Sequence, residues 1–251
     1  MPGRMASTQT LSALSVPPRS IWQRRVETHF YLCMSLLIAA AVVYGFSGTI
    51  GNKLTHANPR RPILLWVHAL LFSSWVAFYI LQSALVRIRK VKFHRTLGCA
   101  GAVLGTSMVV IGFWVAVVMA RFDTSRLHRP NRDAFLIVPL FDIVAFAISF
   151  GLAILWRSRP ERHRRLMLLA TCVLTGAAFG RIPIMHTPLC FYGAVDGLIL
   201  LGVFRDLAVN RRIHAVYSIS IPLLLAGQVA VSEVFLHRAG FWIRIAHGLL
   251  G

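Results

Sequence analysis

The sequence predicts an all-α fold, a bundle of seven transmembrane helices with the N-terminus inside and the C-terminus outside. Three observations predict it. Seven apolar stretches follow one another along 251 residues, most near the ~20 residues that a helix needs to cross ~30 Å of hydrocarbon. Mean hydropathy is +0.67 and 57% of residues are hydrophobic, which marks a membrane chain rather than a soluble core. Short basic loops cut the stretches apart. Lipid cannot satisfy open backbone groups, so the stretches are helices rather than open strands.

In chain order the stretches are Phe30–Ile50, Ile63–Val86, Leu97–Ala120, Ala134–Trp156, Leu166–Ile182, Leu189–Phe204 and Val216–Leu236. Before them lies a basic tail, residues 1–29, expected to be cytoplasmic. Its first 26 residues lack acids, as an organelle presequence also does, and no small-residue cleavage site cleanly ends the apolar stretch that follows, so the first helix is read as retained. Pro17 and Pro18 break the tail, and Ile21, Trp22 and Val26 make an apolar stripe over Arg19–His29 suited to a short interfacial helix. After the last stretch, residues 237–251 place Trp242, Ile245 and Leu249 at i, i+3 and i+7 opposite Arg244 and His247, the pattern of an amphipathic segment on the outer surface. The sixth stretch is short, and Gly193, Gly197 and Gly202 leave open a full span or a re-entrant break.

Net charge is +19, and its placement explains it. With the N-terminus inside, the inner segments hold 17 of the 27 lysines and arginines and the outer segments 10, the bias that sets helix orientation. Basic loops beside helices also meet anionic headgroups, so a nucleic-acid partner is not expected. The excess of arginine over lysine points to a bacterial source and thus to the inner membrane. Cys33, Cys99, Cys172 and Cys190 form no CxxC pair and read as small buried residues. Lysine occurs only at Lys53, Lys90 and Lys92, in loops, so no Schiff base can form inside the membrane. HExxH, GxSxG, P-loop and CxxCH patterns are absent.

Two constellations could carry chemistry. His29, His94, His163 and His214 open helices one, three, five and seven at the inner end. Two of them at one depth on facing helices could ligate a b-type haem, with His94 and His163 the best pair and His214 the substitute. They could equally hold another metal, handle protons, or anchor helix ends at the headgroups. The second constellation is ionisable groups inside the spans, His68, Asp142, Arg181, Asp196 and Glu233, all in the outer half. A charge at the bilayer centre costs about 2.5–3.5 kcal/mol on insertion scales, so such groups face the interior and pair. Arg181 with Asp142 or Asp196 is the expected ion pair, either a structural bridge or part of a site. His68, Trp75 and Gln82 share one face of helix two at intervals of seven.

A weak repeat runs through the loops. Leu85-Val86-Arg87-Ile88-Arg89 closes helix two before His94-Arg95-Thr96-Leu97; Leu155-Trp156-Arg157-Ser158-Arg159 closes helix four before His163-Arg164-Arg165-Leu166. Duplicated hairpins can place a site at their interface.

These motifs, with Gln82-Ser83-Ala84-Leu85, Arg159 to Thr171, Arg181-Ile182-Pro183, Asp196, Asp206 and His214, resemble a group of uncharacterised bacterial seven-helix membrane proteins. More distantly, the paired His-Arg-x-Leu openings resemble predicted membrane proteins near the cytochrome b561 and ferric-reductase families. That resemblance implies b-type haem and transmembrane electron transfer, with His68 and His186 as a second pair. The expected function is a small non-catalytic membrane protein. Its polar site, built by His68, Gln82, Asp142, Arg181 and Asp196, would bind or pass a small ligand, ion or proton. The rivals are the haem electron carrier and an accessory or scaffold subunit of a larger membrane complex or homo-oligomer.

Overall fold

A computed structural model describes residues 20–51 and 58–251, and every element among them is helical. Six helical segments among the described residues are long and apolar enough to cross a membrane. They are α1 (Ile21–Ile50), α2 (Ile63–Arg87), α3 (Val91–Ser125), the paired α4 (Arg132–Phe135) and α5 (Ile137–Leu155), α8 (Pro188–Asn210) and α9 (Ala215–Leu236). The fifth apolar stretch is divided between α6 (Pro160–Val173) and α7 (Gly176–Phe179), followed by a 3₁₀ turn at Pro183–Met185. The chain ends in α10 (Gly240–Leu250).

The helices run up and down, giving two ends. At the near end α1, α3, α6 and α9 begin and α2, α5 and α8 finish; at the far end the roles reverse and α10 packs on α3 and α4. Apolar side chains point outward along the spans, among them Leu36, Val43, Leu70, Val103, Val110, Ile148, Leu223 and Val229. A hydrocarbon solvent accepts such a surface at no cost, whereas water would not. Of the six spans α8 is the most enclosed, with half of its apolar window buried, while α2 has 11%. The short sixth stretch is therefore a complete helix at the bundle's centre.

The segment expected as a separate interfacial helix at Arg19–His29 is, where described, the first turns of α1. Ser20 caps it: the Ser20 hydroxyl accepts from Gln23 N–H at 3.2 Å and the Gln23 amide oxygen accepts from Ser20 N–H at 3.0 Å. No glycine or proline lies between this cap and Phe30, so the helix continues into the span. Residues 1–19 of the expected tail lie outside the described residues.

The fifth stretch tightens rather than ends after Val173. Thr175 N–H and the Thr175 hydroxyl both reach the Cys172 carbonyl, at 2.9 and 2.6 Å, and Ala178 N–H reaches Thr175. These are 3₁₀-type contacts, a local overwinding that keeps the path helical. The final segment is helical as expected, but its buried stripe is Trp242 and Ala246, while Ile245 is half exposed. Trp242 decides this, because its indole N–H donates to the carbonyls of Asp133 and Ala134 at 3.2 Å.

Glycines set two close approaches. On α3, Gly101, Gly105 and Gly112 admit Phe78, Phe150 and Ile143. On α1, Gly45 lies against the α7 backbone: a Cβ there would stand 2.3 Å from the Ala178 carbonyl oxygen, whereas one at Gly48 would meet nothing. Gly45→Ala is expected to lower the thermal midpoint in detergent by the equivalent of about 1–3 kcal/mol, the usual cost of overpacking, while Gly48→Ala is neutral or slightly stabilising. Melting curves of the two purified variants decide it; equal midpoints would reject the close approach.

Candidate functional site

The strongest electrostatic feature lies at the near end. The first turn of α6 carries Glu161, Arg164 and Arg165 on one side, as i, i+3 and i+4 spacing dictates. Arg165 is 1% exposed and Asp206 on α8 is fully buried, joined through both guanidinium edges: Nε to Oδ2 at 2.7 Å and Nη2 to Oδ1 at 2.5 Å. This is the bidentate fork that arginine makes with carboxylates. Arg205 adds a 3.0 Å bond to the same carboxylate and lies 3.7 Å from Glu27 of α1. Arg164 and Arg205 both stand over the Tyr31 ring, at 5.4 and 5.7 Å. Glu161 sits outside the apolar stretch. Partial burial alone would raise its pKa, but bonds from Arg165 and Arg164 outweigh that and hold it low.

In the sequence these arginines count only as charge that orients the helices. The available signal was an acid, Asp206, one residue from Arg205 inside the span, but the partner Arg165 lies 41 residues away.

The four inner histidines do not form one ring. His29 is exposed and meets Arg87 at 3.1 Å. His214 caps α9, its Nδ1 accepting Val216 N–H at 3.1 Å. Burial, then the nearby Arg165 charge, push its pKa down, which suits a neutral ring accepting a bond. The pair that does meet is His94 and His163, with ring centroids 6.3 Å apart and planes at 75°. Were a haem bound at this end, His94 and His163 would be the histidines to hold it, while His214 already uses one ring nitrogen as a helix cap. The second pair is not assembled: His68 stacks on Phe72 of its own helix at 4.0 Å, and exposed His186 bonds to the Pro183 carbonyl at 2.7 Å. Among the described residues no group of three or more His, Cys, Asp or Glu side chains converges as for a metal ion.

The expected ion pair of Arg181 with Asp142 or Asp196 does not form. Arg181 is exposed, lies 4.2 Å over the Phe46 ring of α1, and donates to the Ala177 carbonyl. The turn after α7 carries it to the outside of the bundle. Asp142 instead accepts from the Tyr192 hydroxyl at 3.3 Å, with its other oxygen facing Gly176. Asp196, one turn beyond Tyr192 on α8, accepts from the Gln228 amide at 3.0 Å. No lysine, arginine or histidine forms an ion pair with either acid among the described residues. Glu233 is exposed and, among the described residues, pairs only with His237, at 3.1 Å. Gln82 is nearly buried with both amide atoms unpaired, and Trp75 on the same face leaves its indole N–H unpaired.

At the far end a cleft of about 640 Å³ is lined by Arg129, Arg132, Asp133, Arg238 and His247. Asp123 beneath it draws Arg61, Arg129 and Arg132, each at 3.4 Å.

No known protein family, curated protein or solved structure matches the chain. The resemblance described above rests on the quoted residues alone.

Asp206→Asn leaves Arg165 and Arg205 buried without their shared carboxylate. It is expected to cost about 3–5 kcal/mol, the usual cost of breaking a buried pair. The exposed Glu233→Gln should change stability by no more than about 0.5 kcal/mol. Thermal melts in one detergent compare the two; equal melts would show that the near-end network carries no stability.

Proposed function

We propose that the chain is a multi-pass protein of the bacterial inner membrane that takes up a proton or small cation at a carboxyl site built by Asp142, Tyr192 and Asp196. The observation that carries this reading is that Asp142 and Asp196 lie within apolar spans and are met by a hydroxyl and an amide rather than by a cation. An ionised carboxylate in that setting is costly, so each acid either keeps its proton or shares a cation. The two carboxyl groups and the Tyr192 hydroxyl supply oxygen atoms, the ligand type that protons and hard cations use, while Gln228 presents its amide N–H to Asp196. Because Arg181 faces outward, an anionic ligand gains nothing here.

We place seven crossings with the N-terminus inside. Support for the seventh is that α6 starts at the near end, where Arg165 meets Asp206, while α7 lies near the far end of α1, against Gly45. Support for the orientation is the basic-residue bias toward the near end. The acids then sit in the outer half.

The test is reconstitution into vesicles with an internal pH dye and an imposed potassium diffusion potential. Wild-type protein should give proton flux above empty vesicles, and Asp142→Asn should reduce it to that level, with Asp196→Asn intermediate. Intact melting of both variants separates lost function from lost fold. Flux indifferent to both substitutions would sink the reading, as would a silent wild type in both proton and sodium gradients.

A further inference from the structure

The two histidines that meet at the near end are equivalents in the repeated hairpins. His94 opens α3 after the α2 hairpin turn, and His163 opens α6 after the α5 turn. Each ring is turned toward the main chain of its preceding helix. His163 Nδ1 lies 2.8 Å from the Ala153 carbonyl of α5. A carbonyl only accepts, so Nδ1 donates there, and in the neutral tautomer that makes this bond Nε2 carries the lone pair. His94 lies beside the Gln82 carbonyl of α2 and keeps a buried Nδ1 without a partner. His163 is thus held as metal-ligating imidazoles are, one nitrogen fixed by a carbonyl and the other left to an ion, while His94 offers a buried nitrogen with no protein partner among the described residues.

Gln82 supplies the second, independent observation. Its side chain is about nine-tenths buried, and neither its amide oxygen nor its nitrogen has a protein partner. Burying an amide unpaired is costly, so a donor–acceptor pair held here calls for a polar occupant. The ring separation states which geometry an ion would need. With metal–nitrogen bonds of about 2.0–2.1 Å, two imidazoles sharing one ion place their centroids roughly 5 Å apart at a tetrahedral angle and roughly 6.4 Å apart when nearly opposite. The observed 6.3 Å matches nearly opposed donors, as in square-planar or octahedral coordination.

We propose that His94, His163 and Gln82 form a binding site for one divalent transition-metal ion, with two imidazole nitrogens and the Gln82 amide oxygen as protein donors. Imidazole with a neutral oxygen suits zinc, copper or nickel, and water completes the coordination. The site joins the two hairpins and is separate from the carboxyl site of Asp142.

The test uses the full chain, purified without a histidine tag and stripped by chelator, titrated with Zn²⁺ by calorimetry. One ion per chain should bind and raise the thermal midpoint, as any ligand of the native state does. His94→Gln and His163→Gln should each weaken binding at least about tenfold, and His186→Gln and His247→Gln should leave it unchanged. Gln82→Glu keeps the shape and adds a charge, so it should tighten Zn²⁺ binding, an outcome that does not depend on the histidine variants folding. The proposal is overturned if wild type binds no Zn²⁺ saturably, or if the double variant His94→Gln/His163→Gln binds it unchanged. It is also overturned if protein expressed with ample haem shows a Soret band that both substitutions abolish, since the pair would then serve haem iron.

Discussion

Hydrocarbon offers no hydrogen bonds, and every other feature of this chain answers to that constraint. Apolar side chains can face outward without cost, so the bundle gains little from burying them. Its helices must be located by the polar groups and by close backbone contact instead. The polar groups therefore collect inside or at the ends: Arg165 with Asp206, Asp142 with Tyr192, Asp196 with Gln228, and Asp123 among three arginines. The small residues collect where helices touch, as at Gly45 against Ala178.

The near-end ion network and the histidine pair are coupled by position. Arg165 is pinned by Asp206 of α8, and His163 lies half a turn earlier on the same helix. Fixing the α6 start thus fixes where His163 can point, and its Ala153 contact finishes the job. The carboxyl site is placed differently. The two acids sit on α5 and α8, with Tyr192 between them and Gln228 reaching across from α9. The overwound turn at Thr175 brings the Gly176 backbone against Asp142, where a side chain larger than a methyl has little room.

Much of the fold was legible because hydropathy reports directly on the solvent. Six apolar stretches correspond to long helices, and the structure extends several beyond the apolar limits, as with α3 from Val91 to Ser125. Polar ends outside hydrocarbon cost nothing to keep helical, and hydropathy cannot see them. The division of the fifth stretch was not legible, since it depends on one threonine hydroxyl. The face of α10 was legible in part: Trp242 and Leu249 pack inward as the pattern predicts, and Ile245 does not. The candidate site was half legible. The repeat did single out His94 and His163. Arg181 was misplaced because charge alone cannot say whether a residue at a helix end faces in or out. Arg165 was read as orienting charge because its partner lies two helices further along the chain.

The first turn of α6 carries five charged side chains or histidines before its apolar run begins, Glu161 to Arg165, and the carboxylate that neutralises Arg165 belongs to a helix made later. During synthesis this segment emerges before its partner exists. Left alone it is a poor occupant of the bilayer and a good occupant of the surface. Only beside α8 does Arg165 find its carboxylate, so the two helices are coupled in assembly as well as in packing.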